Sequence, residues 1–175
     1  MLAYLFWHRP GPGVSSADYE NRLRDFHSQL NMRSASFLVS GLPFDDGGGY
    51  EDWYLVATWA ELGELNDRAV SGERQVHHDA MAHLAGEGWG AVYGLVRGEC
   101  RPPMATRWAS KPVGRSYRAF LDSLTEPVVW QRQMVLGPAP EFCLLPEGQP
   151  TGGARTPIYV HGVPWGSGGP KRAQL

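Results

Sequence analysis

The chain has 175 residues, which suits one domain or two small halves that share a core. Hydrophobic residues make up 42% of the chain and aromatic residues 11%, a composition that excludes global disorder. The formal net charge of −2 provides no basic surface for nucleic acid, and no apolar run is long enough for a membrane span. Two cysteines, Cys100 and Cys143, are too few for a disulfide framework. We therefore expect a soluble, cytoplasmic protein that binds neither nucleic acid nor membrane.

The first elements in chain order are a strand and a helix. Residues 3–8 are aromatic-rich and predict a buried strand, which the prolines and glycines of residues 9–13 end. Ser16 is the expected N-cap of a helix over residues 17 to about 32. Four apolar residues of that helix fall on one face at helical spacing: Tyr19, Leu23, Phe26 and Leu30.

The pattern continues with a strand at residues 36–39 and a second strand at 51–59. In the latter, Trp53 and Trp59 alternate with Asp52 and Tyr54, so the two pairs lie on opposite faces. Both faces carry aromatic residues, and the sequence leaves open which of them lines the interior. The remaining elements of this half are predicted as two helical pieces and a strand, at residues 60–70, 73–85 and 90–97.

The element order over residues 1–98 is therefore β-α-β-β-α-β, which predicts an α+β fold of the ferredoxin-like type. A second, incomplete repeat is predicted over residues 104–146, packed on the first. Its last helix and strand are missing. The predicted elements of this repeat are a helix at residues 116–124 and strands at 127–136 and 141–145. Residues 147–175 are rich in Gly and Pro and predict a partly disordered tail, with a short strand at 158–160 and disorder after about residue 166.

The opening residues run from an aromatic strand into a basic-Pro-Gly turn, as Tyr4-Leu5-Phe6-Trp7-His8-Arg9-Pro10-Gly11. Together with the element order, this opening resembles EthD-type proteins of the dimeric α+β barrel superfamily. Residues 76–79 are similar to a segment that carries a catalytic histidine in some barrel cyclases. The resemblance implies a barrel made by pairing two sheets, and the incomplete second repeat favours a homodimer.

Four residues are candidates for catalysis. The resemblance favours His78 as a proton shuttle, and His8 at the end of the first strand is a second candidate for a general base. Tyr54 could donate a hydrogen bond to an oxyanion, with Asp52 on the same face to orient the base. Solvated or purely structural roles for both histidines remain the alternatives at this point.

Four further residues are candidates for substrate contact: Trp7, Trp53, Trp59 and His27. The indoles would form an apolar slot for a small aromatic or polyketide-like molecule. His27 lies at the margin of the first helix's apolar stripe, where a boundary histidine is the alternative interpretation. No metal site is predicted, because consecutive side chains at residues 77–79 diverge around a helix. No cofactor is predicted either.

These features favour a small-molecule enzyme of secondary metabolism, a cyclase, an isomerase or a cofactor-free monooxygenase that uses His and Tyr in acid–base chemistry. Two alternatives remain open. One is a non-catalytic ligand-binding or assembly module. The other is a haem- or metal-dependent enzyme, since a few proteins of the resembled superfamily hold haem.

Overall fold

The computed structural model describes residues 1–134, 137–147 and 155–161. Within these residues the chain forms four helices and one antiparallel sheet of eight strands, which confirms the α+β class. The helices are α1 Ser16–Leu30, α2 Trp59–Ala69, α3 Glu73–Leu84 and α4 Tyr117–Asp122. The strands are β1 Leu2–Pro10, β2 Ser34–Val39, β3 Gly49–Val56, β4 Ala85–Arg97, β5 Arg107–Ala109, β6 Val128–Met134, β7 Phe142–Leu145 and β8 Arg155–His161.

The strand order across the sheet is β5-β7-β6-β4-β1-β3-β2-β8. The four strands of the first half lie together in the order β4-β1-β3-β2, which is compatible with a ferredoxin-like or α+β barrel fold. The predicted short strand at residues 158–160 lies within β8, which pairs with β2. The predicted disorder after about residue 166 concerns residues outside the described part of the chain.

The sheet curls, so that side chains from distant strands meet on its concave face. The indole rings of Trp7 in β1 and Trp108 in β5 lie 5.5 Å apart between centroids, although three strands separate β1 from β5 in the sheet. Near the two edge strands, Arg155 Nη1 of β8 donates to Thr106 Oγ1, just before β5, over 3.1 Å. The concave face therefore encloses the largest apolar cluster formed by the described residues.

The convex face carries the helices. α1 begins after Ser15, whose side chain accepts a hydrogen bond from the Asp18 backbone N–H, so the N-cap is one residue earlier than expected. The predicted apolar stripe of α1 is buried against the sheet and α3. α4 packs separately on β6 and β7, where Phe120 contacts Val129, Phe142 and Leu144.

The strand predicted over residues 51–59 ends at Val56, and Trp59 is the first residue of α2. The reason is a local capping interaction. The Thr58 hydroxyl accepts a hydrogen bond from the Glu61 backbone N–H, and this starts a helix where alternation alone predicted strand. None of the helices in the described residues is both long and apolar enough to cross a bilayer.

A buried charge cluster lies on the concave face around Glu51 in β3, which is 1% exposed. Its carboxylate accepts hydrogen bonds from the indole N–H groups of Trp7 at 2.9 Å and Trp53 at 2.6 Å. Arg155 Nη2 lies 2.6 Å from the same carboxylate, and its guanidinium stacks 4.6 Å above the Phe37 ring. The cluster thereby ties β1, β2 and β3 to the last strand of the sheet.

Replacing Arg155 by Met should destabilise the protein by about 3–5 kcal/mol, because Glu51 is then left in the core without its cation. Urea unfolding measures this change. The control is Arg68→Met, which breaks an exposed ion pair with Glu64 on α2 and should cost less than about 1 kcal/mol. Equal effects of the two substitutions would contradict a stabilising role for the Arg155–Glu51 pair.

Candidate functional site

A cavity of about 670 Å³ lies between the convex face of the sheet and helices α1, α2 and α3. The sheet side of its wall comes from alternate residues of β1 and β3, and the helix side comes from apolar residues of the three helices. Its polar wall residues include His8, Asp52 and Tyr54 from the sheet, with Tyr19 and His78 from the helices. The aromatic and aliphatic members include Tyr4, Phe6, Leu23, Phe26, Trp59 and Leu65.

Two glycines of β4 have no side chains that would fill the space beside the cavity. Gly88 and Gly90 alternate along β4, so both face the helices. A Cβ atom on Gly88 would overlap Cζ of Phe6, and one on Gly90 would lie 2.7 Å from the hydroxyl of Tyr4. The two rings therefore lie across the bare backbone of β4, because only glycine admits them there.

Asp52 is the central polar residue of the site and is 2% exposed. Its Oδ2 accepts a hydrogen bond from the Tyr54 hydroxyl over 2.8 Å. The same oxygen lies 3.2 Å from His8 Nε2 and 3.3 Å from His27 Nε2. One carboxylate oxygen is therefore shared by two imidazoles and one phenol, which come from β1, β3 and α1.

The electrostatics favour an ionised Asp52. Burial alone raises the pKa of this carboxyl group, but the adjacent His8 and His27 outweigh burial and hold the pKa well below its usual range. An ionised carboxylate can only accept hydrogen bonds. The ring nitrogens that face it are therefore assigned hydrogen, which makes Nε2 the protonated nitrogen of each histidine in its neutral form.

His8 connects this carboxylate to a tyrosine. Its Nδ1 lies 2.5 Å from the Tyr19 hydroxyl of α1. Burial, with a smaller effect from the Asp52 charge, raises the pKa of Tyr19, so its hydroxyl keeps its proton. In its neutral form with hydrogen on Nε2, His8 accepts at Nδ1 a hydrogen bond from the Tyr19 hydroxyl. The result is a chain of contacts from Tyr19 through His8 to Asp52, all three of which reach the cavity wall.

His27 repeats this arrangement on the other side of Asp52. Its Nδ1 lies 2.9 Å from the Ser34 hydroxyl of β2, and its ring is fully buried. Its ring also stacks parallel to that of Tyr54 at 5.1 Å between centroids. His27 is absent from the cavity wall, so the structure places this predicted substrate contact behind Asp52, where it supports the carboxylate.

The remaining predicted site residues lie apart from Asp52. His78 is on the cavity wall at α3, where its half-exposed ring lies 3.1 Å from Asp79. Trp59 also lies on the wall and is half exposed. Trp7 and Trp53 lie on the opposite, concave face, where they donate to Glu51.

Sequence reasoning did not single out Tyr19 or Tyr4 as functional residues. Tyr19 was counted as an apolar member of the α1 stripe. A phenol in an otherwise aliphatic stripe is a signal that could have marked it, because a buried hydroxyl needs a partner. Tyr4 lies on the same strand face as His8 and lines the cavity.

Among the described residues, no three His, Cys, Asp or Glu side chains converge in a way that could hold a metal ion. The thiols of Cys100 and Cys143 are buried and lie outside the cavity wall, and burial raises the pKa of both. No model of a protein family, no curated protein and no solved structure matches the chain.

The lowered pKa of Asp52 predicts how its contribution to stability depends on pH. A carboxyl whose pKa falls on folding stabilises the protein above its unfolded pKa of about 4, and this contribution is lost as the pH falls further. The difference between the unfolding free energies of the wild type and of Asp52→Asn should therefore be largest at about pH 6 and smaller at about pH 3. Urea unfolding at both values measures this, and a constant difference would contradict an ionised Asp52.

Proposed function

We propose that this chain is a small-molecule enzyme that moves a proton on its substrate, as an isomerase or a cyclase does. The observation that carries the proposal is the position of His8, which lies between Tyr19 and the buried carboxylate of Asp52 on the wall of a large cavity. An imidazole that faces a carboxylate on one side and contacts a hydroxyl on the other is the arrangement of an activated acid–base group.

Protons pass between the substrate, Tyr19 and His8, while Asp52 stays ionised and faces the imidazole. As the Tyr19 oxygen takes a proton from the substrate, its own hydroxyl proton passes to His8 Nδ1. The imidazole then becomes an imidazolium, whose positive charge faces Asp52 Oδ2. Reversal of the same movements returns a proton to a different position of the substrate, so the enzyme ends the cycle unchanged.

The other hydroxyl groups have supporting roles in this proposal. Tyr54 donates to Asp52, so it holds the carboxylate in place rather than acting as an oxyanion donor. Tyr4 stacks beside Tyr54 with 5.9 Å between ring centroids and lines the cavity. We assign to Tyr4 the hydrogen bond to an oxygen of the substrate.

The wall favours a small aromatic substrate. Phe6, Phe26 and Trp59 contribute rings to a cavity whose other members are mainly aliphatic. Its volume suits a molecule of two or three fused rings. The curled antiparallel sheet supports the α+β barrel fold of this proposal, whereas its EthD-type class rests on the resemblance of the opening residues. The homodimer and the cytoplasmic location belong to the same proposal.

A non-catalytic ligand-binding module is the second candidate. It is favoured by the complete burial of Tyr19 by the surrounding side chains, since a proton donor or acceptor must meet its substrate. The two candidates differ in their turnover. An enzyme loses its turnover when His8 is replaced, whereas a binding module has no turnover in the wild type either.

The test uses 5-nitrobenzisoxazole, a planar uncharged probe whose ring opens when a base removes one carbon-bound proton. The wild type should accelerate this reaction above free imidazole, and His8→Gln should lower the rate by about 100-fold or more. Tyr19→Phe should lower it as well, because it breaks the path to His8. The matched control is His78→Gln, which changes a histidine on the same wall that has no contact with Asp52.

Loss of rate in His78→Gln with full rate in His8→Gln would contradict the proposal and favour His78 as the base. A wild-type rate equal to that of free imidazole, together with binding of the probe, would favour the ligand-binding module.

A further inference from the structure

Two polar atoms of the site have no hydrogen-bond partner in the described part of the chain. They are His8 Nε2 and Asp52 Oδ1, and both residues are 2% exposed. His8 Nε2 lies 3.2 Å from Asp52 Oδ2, but the approach lacks the alignment of a hydrogen bond. Buried polar atoms in folded proteins are nearly always partnered, so each unpartnered one needs an explanation.

The two atoms have complementary hydrogen-bonding characters. His8 Nε2 carries hydrogen and donates, whereas Asp52 Oδ1 belongs to a carboxylate and accepts. A hydroxyl group can satisfy both, because it accepts through its oxygen and donates its proton. An ether oxygen cannot donate, an ammonium cannot accept, and a carboxylate cannot donate and would also face the Asp52 charge.

The charged residues of the cavity wall limit the charge that a ligand can carry. No Arg or Lys lines the cavity among the described residues, and the ionisable carboxylates on its wall are Asp52 and Glu87. An anionic ligand would therefore enter a cavity without a compensating cation. An uncharged ligand avoids this cost and still fills the aromatic wall formed by residues such as Phe6 and Phe26.

We infer that the cavity binds an uncharged aromatic alcohol or phenol, whose hydroxyl group lies between His8 Nε2 and Asp52 Oδ1. The hydroxyl accepts from the imidazole and donates to the carboxylate, while the ring lies against the aromatic wall. This inference deepens the proposed function, on which it rests for the identity of the site, and it names the chemical class of the substrate.

The experiment compares three probes with one ring system by isothermal titration calorimetry at neutral pH. They are 2-naphthol, 2-methoxynaphthalene, which has no hydroxyl proton to donate, and the 2-naphthoate anion. The wild type should bind 2-naphthol about 10-fold or more tightly than either of the other two. Asp52→Asn removes the charge of the acceptor and should reduce this preference, whereas the control His83→Gln, which changes an exposed histidine of α3 outside the cavity wall, should keep it.

Equal affinity of the wild type for 2-naphthol and 2-methoxynaphthalene would overturn the inference, and so would tighter binding of 2-naphthoate. Because the comparison is made on the wild type, it holds even if Asp52→Asn fails to fold. Affinity and turnover are also separate measurements. If the preference for 2-naphthol is absent but the ring-opening rate still depends on His8, this inference alone is wrong. If the preference is present but the wild type has no ring-opening activity, the proposed catalysis is wrong and the binding site remains.

Discussion

The site depends on one buried negative charge that two histidines share. Asp52 accepts the Tyr54 hydroxyl and lies within 3.3 Å of the Nε2 atoms of His8 and His27. A carboxylate in such a place would be unfavourable without these groups, because burial opposes its charge. Conversely, the ionised carboxylate determines which nitrogen of each ring carries hydrogen, and thereby directs His8 Nδ1 towards Tyr19.

Two consecutive carboxylates of β3 lie on opposite faces of the sheet and have different partners. Glu51 points to the concave face, where it forms an ion pair with Arg155 and accepts hydrogen bonds from two indoles. Asp52 points to the convex face, where its partners are imidazoles that can gain and lose protons. The alternation of a β-strand thus places a fixed ion pair and a titratable cluster on opposite sides of the same backbone.

The periodicity of the sequence predicted much of the fold but only part of the site. Alternation in β3 correctly places Asp52 and Tyr54 on one face. Because both faces of this strand carry aromatic residues, the sequence does not show which face the helices cover. The approach of His8 to Asp52 requires the register in which Phe6 pairs with Asp52, and a single sequence does not contain that pairing. His27 reaches Asp52 because α1 packs on the sheet with this residue against Ser34 of β2 and Asp52 of β3. The position of a helix on a sheet depends on tertiary packing.

The most direct test of this account is ¹⁵N NMR of the histidine side chains at neutral pH, assigned through the variants His8→Gln and His27→Gln. The account predicts that Nε2 of both His8 and His27 carries hydrogen, because both atoms face the ionised Asp52. Hydrogen on Nδ1 with an unprotonated Nε2 at either residue would contradict it, since that tautomer would direct a lone pair at the carboxylate.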